Sequence, residues 1–114
     1  MLASEADRRV PAVKSALSRL EESGEPDPGA VEAMRTEVHG LKGAAMVIGE
    51  EQLGRLAERA EKLLAARVEP GTIDAGLNRR LIAAVDAFHE GATAAAEGRP
   101  QPDSVAQALG ALRA

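Results

Sequence analysis

The chain has 114 residues and a mass of 11.8 kDa, room for one domain built on a single core. Hydrophobic residues make up 45% of it, yet there is one Phe and no Trp or Tyr, so Leu, Val, Ile, Met and many Ala must fill that core, a composition suited to closely packed helices. A formal net charge of −4 and a pI near 5.2 argue against a nucleic-acid partner and against an anionic membrane surface.

The absence of Cys removes disulfides, thiolate metal sites and cysteine nucleophiles together. No apolar run approaches the roughly 20 residues that a bilayer span requires. The start, Met-Leu-Ala-Ser-Glu-Ala-Asp-Arg-Arg, lacks a signal peptide's order of basic then apolar segments. The expectation is a soluble cytoplasmic protein with no membrane partner.

In chain order, Val10, Val13, Leu17 and Leu20 recur at helical spacing and predict a first helix over 4–22. Pro11 is awkward there, because it lacks an N–H and crowds the preceding turn; the helix is expected to start near it or to kink. Gly24 suits the C-terminal stop, and Asp27-Pro28 is an N-cap and first-turn pair for the next helix. That helix is expected over 28–48, with Val31, Met34, Val38, Leu41, Ala45 and Ile48 as its buried seam and Gly49 ending it.

A third helix over 50–66 follows almost at once, seamed by Leu53, Leu56, Ala60 and Leu63 and widened by Ala57 and Leu64, so these two helices should be antiparallel neighbours. Pro70-Gly71 turns the chain, and Thr72 is the expected N-cap of a fourth helix over 73–97, carrying Leu77, Leu81, Val85, Phe88 and Ala92 inward. Ser104 and Gln107 have the spacing of a capping box opening a short helix over 104–113. No strand-like alternation and no internal repeat appear. The reading is all-α: an antiparallel four-helix bundle with an additional short C-terminal helix, one domain over 1–114.

The chemistry is concentrated in Val38-His39-Gly40-Leu41-Lys42-Gly43-Ala44-Ala45-Met46-Val47-Ile48-Gly49. A helical side chain advances by about 100° per residue, so a residue one place after a seam position sits at the rim of the buried stripe. Arg35, His39, Lys42 and Met46 each do so. His39 and Lys42 are three apart on one face, close enough for the ammonium to approach an anion held on the imidazole. Gly40 and Gly43 each cost the helix roughly 0.5 to 1 kcal/mol relative to Ala, and both are read as outward-facing beside the ring. Gly43, one turn on, clears the approach for a second protein or a bulky phosphoryl donor, and Ala44 and Val47 extend a smooth surface. Together they describe a docking site with a nucleophile at its centre.

His39-x-x-Lys42-Gly43-Ala44 with Gly49 at the end of the same helix resembles the histidine phosphotransfer (HPt) domain family, and the expected order of helices extends the likeness over essentially the whole chain. It is similar in particular to the N-terminal phosphoacceptor domain of chemotaxis-type histidine kinases. The resemblance implies that His39 accepts a phosphoryl group on Nε2 and exchanges it with an aspartate of a receiver domain. It implies that Lys42 stabilises the phosphoryl charge and that Gly43 leaves room for the partner. The histidine kinase ATP-binding domain, in cis or in trans, is the other implied partner, and Mg²⁺ belongs to the partner's site rather than to this chain. Matching the register of the third helix places Glu61 where the family holds the other ring nitrogen, with Glu58 one turn earlier. A carboxylate accepting from Nδ1–H would fix the tautomer that leaves Nε2 as the nucleophile. Gly40 departs from the pattern, since relatives more often carry Ser, Thr or Arg there.

No cofactor and no metal site is expected, for two histidines without a spaced set of Cys or carboxylates make a poor ligand group. His89 reads as a surface residue, Arg35 as a surface charge facing the partner, and the protein as a monomer. The competing reading is a helical interaction module without phosphoryl chemistry. A small hydrolase using His39 and Glu61 finds no support, because no second nucleophile or enclosed pocket is indicated.

Overall fold

The computed structural model describes residues 1–113, all of whose regular structure is helical; Ala114, the last of the expected domain span, lies outside the described residues. Five helices follow one another: α1 Leu2–Ser23, α2 Pro28–Val47, α3 Glu51–Ala65, α4 Ala75–Ala96 and α5 Asp103–Ala111. Helix α2 packs on α3, α3 on α4, α4 on α1 and α1 on α2, which closes a four-helix ring, while α5 lies across α3 and α4. The molecule measures 42 × 24 × 20 Å. The fold is therefore the four-helix bundle with a short fifth helix that the periodicity describes.

Local chemistry explains most boundaries. Gly24, at φ 65°, ends α1 and returns its N–H to the Leu20 carbonyl. Asp27 accepts from the Ala30 N–H at 3.0 Å and Pro28 opens α2. Its neighbour Gly71 accepts the Asp27 N–H at 2.8 Å, fastening the start of α2 to the turn before α4. Gly49, at φ 77°, makes the sharp turn into α3.

Four expectations are corrected. Helix α1 begins at Leu2 and runs through Pro11 without a break, because the ring faces solvent and the chain gains burial of Leu2 and Ala6 by starting early. Thr72 is exposed and caps nothing; the N-cap of α4 is Asp74, whose carboxylate accepts from the Leu77 N–H at 2.8 Å. Ser104 and Gln107 form no capping box, since α5 starts one residue sooner behind Pro102 and the Ser104 hydroxyl bonds to Glu90. Ile48 leaves the seam: α2 stops at Val47, so Ile48 falls in the cap, out of helical phase, and is 45% exposed.

The core otherwise follows the predicted stripes, with Phe88 its largest fully buried side chain and Leu17, Met34, Leu41, Leu53, Leu56 and Leu81 also fully buried. In α3 the stripe is rotated slightly toward Ala57 and Leu64, leaving Leu63 partly buried. One buried polar side chain was not anticipated. Asn78 of α4 donates from Nδ2 to the Leu17 carbonyl at 3.0 Å, an inter-helix tie inside the bundle.

Candidate functional site

Helix α2 presents His39 near its middle, one place beyond the buried Val38, and the side chain is 62% exposed. Across the groove, α3 turns Glu61 toward it from a position one past the buried Ala60, and only 14% of the Glu61 side chain is open to solvent. His39 Nδ1 lies 2.8 Å from Glu61 Oε2. Lys42 Nζ lies 3.0 Å from the other carboxylate oxygen. Arg35 Nη1 approaches Oε2 at 3.5 Å while its Nε and Nη2 grip Glu32 one turn back. One carboxylate thus gathers three cationic or donor groups from two turns of α2.

The charge state of Glu61 settles the tautomer. Burial works to raise its pKa, but hydrogen bonds from Lys42 and His39 and their charges outweigh it, leaving the carboxyl below the usual value. An ionised carboxylate only accepts, so the proton between the two groups sits on Nδ1. With the proton on Nδ1, the neutral form of the ring carries its lone pair on Nε2, for which no partner appears among the described residues.

Around the ring, the other expected residues are distributed unevenly. A Cβ built on Gly43 meets nothing within 4 Å, so that side of α2 is open. Gly40 instead faces α1: a Cβ there would lie 2.6 Å from Arg9 Nη1. Arg9 fills the space, bonded to Glu5 and, at 2.8 Å, to Glu37. The expectation that Gly40 faces outward beside the His39 ring is accordingly corrected, because that side of α2 is covered by Arg9. Ala44 is half-buried and packs on the core rather than on the open face. Met46 and Val47 are 67% and 86% exposed and, with Ile48, form an apolar knob at the end of α2. Beside it a groove is lined by Met46, Gly49, Glu50, Glu51, Gly54, Arg55 and Glu58. Glu58 borders this groove and makes no hydrogen bond or ion pair with His39 among the described residues.

His89 lies apart on the α1–α4 face, its Nε2 2.6 Å from Asp7 Oδ1. Sequence reasoning missed the participation of Glu32 and the Arg9–Glu37 bridge. The three-residue spacing of Glu32 and Arg35 was a usable signal; the bridge from α1, which spans 28 residues, offered none.

The fold and site define a class of all-helical bundle that displays a carboxylate-braced histidine from mid-helix, its other ring nitrogen without a partner among the described residues. A family profile described as Hpt domain matches residues 1–91, and the chain belongs to that family. Its members carry phosphoryl groups on histidine in phosphorelay signalling, exchanging them with receiver domains and kinases. A comparison with curated proteins found no match. The matched span ends within α4, so α5 lies beyond it. No helix among the described residues is long and apolar enough to cross a membrane.

Proposed function

We propose that His39 is the phosphoacceptor, taking a phosphoryl group on Nε2 and exchanging it with the aspartate of a receiver domain. The observation that carries this reading is the 2.8 Å contact between Nδ1 and an ionised Glu61 on a ring that is otherwise exposed. As Nε2 attacks phosphorus, the acyl-phosphate P–O bond breaks, the aspartate leaves as carboxylate, and positive charge develops over the ring. Glu61 faces that charge at the Nδ1–H end, so no proton has to move. Lys42 retains donors beyond its ion pair with Glu61 and supplies positive charge near the incoming group. The chain then acts as a covalent carrier, with Mg²⁺ and the remaining chemistry in the partner.

The open side at Gly43 and the knob of Met46 and Val47 form the docking face for that partner. The position of the motif on the second helix and the presence of α5 favour the phosphoacceptor domain of a chemotaxis-type kinase, served by an ATP-binding domain, over a free-standing relay protein. The test is labelling by a cognate kinase or a phosphorylated receiver. Acid-labile, base-stable label that vanishes in His39→Gln, with the circular dichroism unchanged, is the expected result. Label that persists in His39→Gln sinks the assignment and leaves an interaction module.

A further inference from the structure

Glu61 creates a conflict at this site. A carboxylate that orients the imidazole also favours the imidazolium, and an imidazolium has no lone pair on Nε2 with which to attack phosphorus. Resolving the conflict takes positive charge on Glu61 from somewhere other than the ring. Lys42 supplies one such charge on Oε1, and Arg35 supplies a second on Oε2, the same oxygen that accepts from His39. We infer that Arg35 is a positioning residue for phosphoryl transfer, a fixed counter-charge on Glu61 that keeps the His39 ring in its neutral, Nε2-nucleophilic form. This rests on the reading of His39 as phosphoacceptor.

The charged groups around the ring come from three helices. From α2 come Glu32, Arg35 and Lys42; from α3 comes Glu61, with Glu58 one turn earlier bordering the neighbouring groove and paired with none of them. From α1, Arg9 lies over Gly40 and is spent on Glu5 and Glu37. With the ring neutral, Glu32, Arg35, Lys42 and Glu61 balance, and a proton on His39 would leave the cluster positive. Without Arg35 the same groups are net negative, and protonating the ring restores neutrality. The two cations also differ in how they are held. Lys42 rests on Glu61 alone among the described residues and is free to turn toward a phosphoryl group, whereas Arg35 is anchored by its two-point contact with Glu32.

The test needs no partner protein. Phosphoramidate donates directly: the Nε2–P bond forms as the donor's P–N bond breaks, ammonia departs, and Nδ1–H stays against Glu61. Phosphohistidine formation on the whole chain is followed by ³¹P NMR from about pH 5.5 to 8.5, the range in which an imidazole exchanges its proton. In Arg35→Gln the acid limb of the rate profile is expected to move about half a pH unit to the alkaline side. That corresponds to roughly threefold slower labelling on the limb, a deficit that shrinks as pH rises. Arg35→Lys should restore most of the parent profile. A labelled parent whose profile is unmoved in Arg35→Gln, or a loss uniform across pH that Lys does not rescue, overturns this inference alone. No label on the parent, or label that survives His39→Gln, overturns the phosphoacceptor reading and this inference with it.

Discussion

Gly40 and Gly43 stand three residues apart on one helix and answer different needs. Gly43 borders open space, so its missing side chain matters only to an approaching partner; Gly40 accommodates the Arg9 guanidinium of the neighbouring helix. Gly43→Gln should thus raise thermal stability slightly, by about 0.5 to 1 kcal/mol from helix propensity, while slowing transfer to a receiver. Unchanged transfer kinetics would remove the docking role. His39, Lys42 and Gly43 stood out in the sequence because a helix needs none of them for scaffold. Glu61 emerged from register and resemblance together. The Arg35–Glu61 approach and the Arg9 bridge were illegible, since each depends on the rotation of one helix against another, which hydrophobic spacing fixes only to within a residue or so.

At the scale of elements, the seams at three- and four-residue spacing gave every helix its place, and the errors fell at the ends. Thr72 and Asp74 both offer capping oxygens; Asp74 prevails because Ile73, packed against the core, must still lie outside the helix. Ile48 kept the helical phase in sequence but not in space, since the glycine after it ends α2. Pro11 is the clearest local cost in the fold, for it removes a hydrogen bond from the interior of α1 at an exposed position. Pro11→Ala is expected to stabilise the protein by about 2 kcal/mol, the propensity gain less the lost restriction of the unfolded chain. A urea unfolding midpoint unchanged or lowered in that variant would show that α1 already absorbs the proline without penalty.

For the molecule as a whole, acid should be the destabilising direction. Hydrogen bonds from Arg9 and Arg8 hold the Glu5 carboxyl below its usual value, Arg35 does so for Glu32, and the Leu77 N–H for Asp74. Glu61 joins them, its partners prevailing over burial. A folded-state value below the unfolded one contributes stability that is present above the unfolded value and is lost as pH falls through the folded one. The urea midpoint should therefore decline below about pH 4.3, where unfolded glutamates take up protons, and the decline should be shallower in Glu61→Gln. A midpoint that rises toward acid would contradict the pairing. Closure of the ring by α1 was readable from four amphipathic stripes and short connections, but the buried Asn78 tie between α1 and α4 was not, because a polar residue in a stripe carries no mark of its partner.

Phe88, the sole phenylalanine in a chain without Trp or Tyr, borders one small internal void together with Val38 and Leu41, the two seam residues that flank His39 and Gly40. Its ring current therefore falls on methyl groups on the buried face of α2, the helix that carries His39. The other ring currents are the weaker ones of His39 and His89. The methyl chemical shifts of Val38 and Leu41 consequently form a built-in gauge of how far α2 slides or rolls when His39 is modified or a partner docks, readable without attaching any label near the site.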